Sequence, residues 1–142
     1  MPKKMKVSPK LVIVCDDVRT EDNSKPFILG IYTGSINMPK VESVSIADAL
    51  PALPICLWIP FSASGEGSAA IEFRLAGPDP KRILEVSADL TVDQYVPDEI
   101  TAITLKGLPL VLSQNGNLEI SFRHQGDAEW ELLRTVPVTI AG

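Results

Sequence analysis

Ala70-Ile71-Glu72-Phe73-Arg74-Leu75, the turn Gly77-Pro78-Asp79-Pro80, and Leu84-Glu85-Val86-Ser87-Ala88-Asp89-Leu90 decide the fold. Ile71, Phe73 and Leu75 fall on one face and Glu72 and Arg74 on the other. After the turn Leu84, Val86, Ala88 and Leu90 oppose Glu85, Ser87 and Asp89. Side chains of an extended chain point alternately to its two sides, so each run is a strand with one dry and one wet face. Two such strands joined by a tight turn form an antiparallel pair.

The same rhythm extends in both directions. Residues 11–19, 27–38 and 55–61 are apolar and rich in β-branched side chains, and a polar loop at 20–26 makes the first two a hairpin. Residues 108–114 and 118–123 flank Asn115-Gly116, whose tolerance of positive φ predicts a two-residue hairpin turn. In the last strand, 129–140, the inward face reads Trp130, Leu132, Val136, Val138 and Ile140, with Arg134 as the exception. Residues 39–54 and 91–103 read as longer connections, the first with room for one helical turn over 45–50 before Pro51 stops it. About eight strands with almost no helix predict an all-β, antiparallel two-sheet sandwich of 7–8 strands, wired as an Ig-like or C2-like Greek key. The chain of 142 residues holds one such domain over 11–142, preceded by a basic, mobile arm over 1–10.

Charge narrows the function. Thirteen Lys and Arg against eighteen Asp and Glu leave a net charge of −5. Four of the lysines, Lys3, Lys4, Lys6 and Lys10, lie in the arm, so the body is more acidic still. An acidic body without basic residues interleaved among aromatics argues against nucleic acid as partner. No apolar run reaches the length of a membrane span. The apolar run after the lysines lasts five residues, 11–15, and stops at Asp16-Asp17, too short for an export signal. The expected compartment is the cytoplasm. Cys15 and Cys56 lie in apolar strands without a Cys-x-x-Cys spacing and are expected to be buried, reduced thiols.

Few residues offer chemistry. Asp16, Asp17, Glu21 and Asp22, with Arg19 and Asn23, form the densest polar group, the kind from which sandwich loops gather hard oxygen ligands for a cation. A solvated hairpin tip with a local Asp–Arg pair explains the same residues without metal. His124 is the sole histidine, and no Gly-x-Ser-x-Gly elbow exists to present a serine to it. Ser64-Gly65-Glu66-Gly67-Ser68 lacks the lysine and following helix of a phosphate loop. No cofactor is expected. Cys15-Asp16-Asp17-Val18-Arg19 followed by Leu29-Gly30-Ile31-Tyr32-Thr33-Gly34-Ser35-Ile36 resembles a family of small bacterial β-sandwich proteins of unknown function. The resemblance covers roughly the first quarter of the chain, implies a stand-alone sandwich, and carries no catalytic residues across.

The first three strands differ from the later ones in being apolar on both faces. Cys56, Trp58 and Pro60 alternate with Ile55, Leu57, Ile59 and Phe61, and Ile28 and Tyr32 oppose Phe27, Leu29 and Ile31. One face fills the core, and the other needs a cover. The expected cover is either one of the connections 39–54 and 91–103, or a second copy docked through an interface that includes Tyr32 and Trp58. These readings lead to a non-enzymatic protein-binding or assembly module, whose partner is a protein or a second copy. The alternative is a small hydrolase or metal-dependent enzyme at the Asp16–Asp22 end.

Overall fold

The computed structural model describes residues 5–20, 26–38, 52–78, 83–97, 100–111 and 114–140. Ten strands occur among them: β1 (Val7–Pro9), β2 (Ile13–Thr20), β3 (Pro26–Ile31), β4 (Ile36–Met38), β5 (Ala52–Ala63), β6 (Gly67–Ala76), β7 (Ile83–Val92), β8 (Ile100–Val111), β9 (Gly116–His124) and β10 (Glu131–Ile140). They form two packed sheets, a β-sandwich. One sheet has the order β4-β10-β9-β6-β7. In the other, β5 is central: β8 lines one edge, while β1 and β2 follow each other along the opposite edge, with β3 outside β2. No helix among the described residues is long and apolar enough to cross a membrane.

The alternation of the deciding hairpin is met by burial. Ile71, Phe73 and Leu75 are buried, Leu90 with them, while Glu85, Ser87 and Asp89 are exposed. Phe61 from β5 meets Phe73 and Phe122 from the facing sheet, with ring centroids 5.7 to 6.1 Å apart. Tilted and edge-on contacts of this kind fit the aromatic quadrupole and lock the two sheets together at the centre of the core.

Several expectations are corrected. The strand count rises from about 7–8 to ten because the expected arm contributes β1 and because residues 27–38 do not form one strand. They split into β3, paired with β2, and β4, which crosses to the other sheet and runs parallel to β10, the one parallel pairing among the described strands. The arm is not free over its second half: Met5 and Val7 are buried, and β1 pairs with the C-terminal end of β5. Its apolar residues outweigh its lysines, since burying each of two such side chains is worth about 1.5–3 kcal/mol. The connection expected at 91–103 shrinks, because both its ends are strand, in β7 and β8. The helical turn expected over 45–50 lies outside the described residues.

Asn115-Gly116 does not make a hairpin. The strand before it, β8, belongs to the β5 sheet, and the strand after it, β9, sits between β10 and β6. The turn is a corner between sheets, fastened to the β6–β7 end by a hydrogen bond of 3.0 Å from Gln114 Nε2 to the Pro78 carbonyl. A Cβ on Gly116 would lie 2.7 Å from Pro78 Cβ, so glycine serves close approach here. Pairing of β8 along most of β5 overrides the local turn preference.

The last strand also departs from its pattern. A bulge between Leu132 and Arg134 reverses the alternation, leaving Leu132 outside and 55% exposed. Trp130 lies on the outer face, with Arg74 and Arg123 stacked on its ring at 4.8 and 4.1 Å. Arg134 keeps the inward register of Val136 and Val138, and reaches across to the other sheet. Its Nη1 donates to the Val12 carbonyl and its Nη2 to the Tyr32 carbonyl, each at 3.0 Å.

Candidate functional site

The outer face of the β5 sheet is built by a change of partner along β2. This strand is in register with β5 only from Ile13 to Cys15; from Asp17 onwards its partner is β3 alone. The β2–β3 hairpin therefore leaves the sheet as an arm. Val18 and Ile28, paired across it, pack on Cys15, Cys56 and Trp58, on the side of the sheet away from the main core. Gly30 permits the departure: its φ of +65° is left-handed, and a Cβ there would fall on the Asp16 carboxyl group.

Between this arm and the sheet lies a groove of about 650 Å³, floored by Trp58 and Pro60 and walled by Leu11, Val18, Pro26 and Ile100, with Lys10 at its end. Leu11 is 49% and Ile100 57% exposed. The arm covers the two cysteines but leaves an apolar channel beside them. Of the two connections singled out in the sequence, residues 39–51 of the first lie outside the described residues, and the second reaches the groove through Ile100 and Ala102 at its end.

Tyr32 and Trp58 do not share a surface. Trp58 packs in the outer cluster, whereas Tyr32 packs against the main core. The Tyr32 hydroxyl donates to Asp16 Oδ1 at 3.0 Å, and burial together with that carboxylate raises its pKa. The backbone of Tyr32 serves as a junction, its N–H donating to the Val14 carbonyl and its carbonyl accepting from Arg134.

The acidic group divides. Asp16 binds the Tyr32 hydroxyl, while Asp17 accepts the Val18 N–H at 2.9 Å and Arg19 Nε at 3.3 Å, with Lys106 Nζ at 3.8 Å. The Val18 amide first, then Arg19, hold the Asp17 carboxyl below its ordinary range. Glu21 and Asp22 lie outside the described residues. Among the described residues no group of three or more His, Cys, Asp or Glu is arranged to hold a metal ion.

A second cavity, about 660 Å³, opens at one end of the sandwich. Its lining includes Lys6, Ser68, Asp89, His124 and Asp127. His124 Nε2 accepts the Val7 N–H at 3.2 Å, and its Nδ1 lies 3.8 Å from Asp127 Oδ2. With Nε2 as acceptor, the neutral ring carries its proton on Nδ1, facing the carboxylate. The histidine thus ties β1 of one sheet to β9 of the other. Sequence reasoning missed both this tie and the Arg134 bridge. The lone arginine in an otherwise inward apolar run was the signal for the bridge; nothing local to His124 marked its partner 117 positions away.

No protein-family model matches the chain, and the curated proteins contain no similar sequence.

Proposed function

We propose that the chain is a non-enzymatic protein-binding module that associates with a second copy of itself through the outer face of the β5 sheet. The observation that carries this reading is the apolar groove beside Trp58, with Leu11 and Ile100 half exposed on its walls. Apolar side chains lining one channel, rather than scattered singly, mark an interaction surface. Trp58 is the anchor of the contact, in keeping with the weight that buried aromatics carry in interfaces. Tyr32, packed against the main core with its hydroxyl on Asp16, stays outside this contact. The compartment proposed with this function is the cytoplasm, a reducing environment that suits two free thiols in the resting protein.

Light scattering over a dilution series tests the reading, and a dimer that dissociates on dilution is the expected result. Ile100→Glu, at an exposed wall position, is expected to give a folded monomer, as is Trp58→Glu. A strict monomer at high concentration refutes self-association.

The second reading, a small hydrolase, is favoured by one observation, the His124 cavity with Asp89 and Asp127 on its wall. His124 Nε2 is occupied by the Val7 amide, so the ring serves as a base only after β1 moves away. Ester hydrolysis that vanishes in His124→Gln would move the assignment to an enzyme.

A further inference from the structure

We propose that Cys15 and Cys56 form a reversible cross-strand disulfide, an oxidative modification site at the root of the β2–β3 arm. The two residues are directly opposite each other in the antiparallel β2–β5 pair. Directly opposite residues have Cα atoms about 4.5 or 5.5 Å apart and side chains on the same face. Both spacings fall inside the roughly 4.4–6.8 Å that a disulfide spans, so bridging needs only a small closing of the pair.

In the reduced state both thiols are already turned across the pair. Cys15 Sγ donates to the Cys56 carbonyl at 3.5 Å, and Cys56 Sγ donates to the Asp16 carbonyl at 3.4 Å. Each sulfur therefore reaches across to the other strand. The pair is also the last registered step before β2 leaves the sheet, so a bond here fastens the arm where it departs.

The oxidant is a peroxide. A Cys56 thiolate attacks one peroxide oxygen, the O–O bond breaks, and the departing hydroxide takes up the proton the thiol lost, leaving a sulfenic acid and one water. Cys15 sulfur then attacks the sulfenic sulfur. The S–S bond forms as the S–O bond breaks, and hydroxide leaves with the Cys15 proton as a second water. Two thiols and one peroxide yield one disulfide and two waters.

Access is gated by the arm. Val18 and Ile28 pack over both sulfurs, and both cysteines are buried. Burial first, then the neighbouring Cys56, push the Cys15 thiol up to about 11, so little thiolate exists at neutral pH. Cys15 therefore enters second, as the resolving thiol, and because both cysteines are covered, oxidation is slow while the arm is down and proceeds through its opening. This is a staple set under sustained oxidation, and a fast sensor would have an exposed, acidic thiol instead.

The test uses the full chain treated with hydrogen peroxide and followed by intact mass. The expected product is a monomer lighter by about 2 Da that dithiothreitol restores, with residues 15 and 56 linked in peptide maps. Closing a loop of about 40 residues is expected to raise Tm by on the order of 5–10 °C. Trp58, on the same face, should lose fluorescence. Cys56→Ala and Cys15→Ala should each take up oxygen on the remaining sulfur or link between chains, without the 2 Da loss. Three results would overturn the proposal: separate sulfinic adducts on the two cysteines of the native chain, intermolecular dimers from it, or two free thiols persisting after the urea-unfolded chain has fully oxidised.

Discussion

Replacing Arg134 by methionine keeps most of the unbranched apolar stem and removes the guanidinium that joins the two sheets. Two hydrogen bonds disappear, to the Val12 and Tyr32 carbonyls, both part-buried and both 3.0 Å long. A hydrogen bond from a charged donor contributes about 1.5–3 kcal/mol net, and the stranded carbonyls keep part of their desolvation cost. With partial access of water at this position, the lower end of the range applies to each bond, and Arg134→Met is expected to lose about 3 kcal/mol. For a domain of this size that is a fall in Tm of roughly 6–12 °C. In urea, with a slope of about 1.5 kcal/mol per molar, the midpoint should drop by about 2 M. Arg134→Lys, able to restore one of the two bonds, should fall between wild type and methionine. The assay is equilibrium unfolding followed by tryptophan fluorescence and circular dichroism together, so that coincident curves license the two-state analysis. A methionine variant within about 0.5 kcal/mol of wild type would mean that the bridge carries no stability, and the reasoning would fail.

Gly30→Ala should destabilise by about 2–3 kcal/mol in the same assay: about 1–2 for a left-handed non-glycine residue and about 1 for the Tyr32 hydroxyl bond lost when Asp16 is displaced. Val7→Asp should cost about 3 kcal/mol or more, because β1 carries Val7 into the core; an unchanged midpoint would return these residues to a solvated arm. Alkylation of Cys15 by iodoacetamide in the Cys56→Ala variant should be slow at pH 7 and quicken about tenfold per pH unit up to the thiol pKa. Removing Cys56 takes away one of the causes that raise that pKa, so the plateau should come somewhat below about 11. A flat profile between pH 7 and 9 would show a thiolate already formed.

Much of the sandwich was legible because alternation is a local property. Ile71, Phe73 and Leu75, and likewise Leu118, Ile120 and Phe122, are buried as their period of two requires. The apolar second face of residues 55–61 correctly signalled an outer surface in need of cover, and that surface is where Trp58 and the groove lie. Of the two residues singled out for an interface, Trp58 lines the groove, but Tyr32 lies on the core side, because the strand expected over 27–38 breaks after Ile31 and its continuation joins the other sheet. The bulge after Leu132 was hidden for a related reason. One extra residue puts the side chains on its two sides out of step, and nothing in the order of residues announces where the extra one is placed.

The all-β class, most strand positions and the buried face of the cleanly alternating strands follow from the amino-acid sequence itself, since they depend on neighbours one and two residues away. Tertiary structure alone decided which sheet each strand enters. A strand with one apolar face is stabilised nearly as well in either layer, so the choice rests on sums over distant pairs. The long pairing of β8 with β5 therefore prevails over the local signal of Asn115-Gly116. The same long-range sums set Cys15 opposite Cys56, Val7 against His124 and Arg134 against Val12, contacts between residues 41 to 122 positions apart. Side chains so distant in sequence meet only once the chain has condensed, which is why the groove, the thiol pair and the ties between sheets belong to the fold and not to any stretch of it.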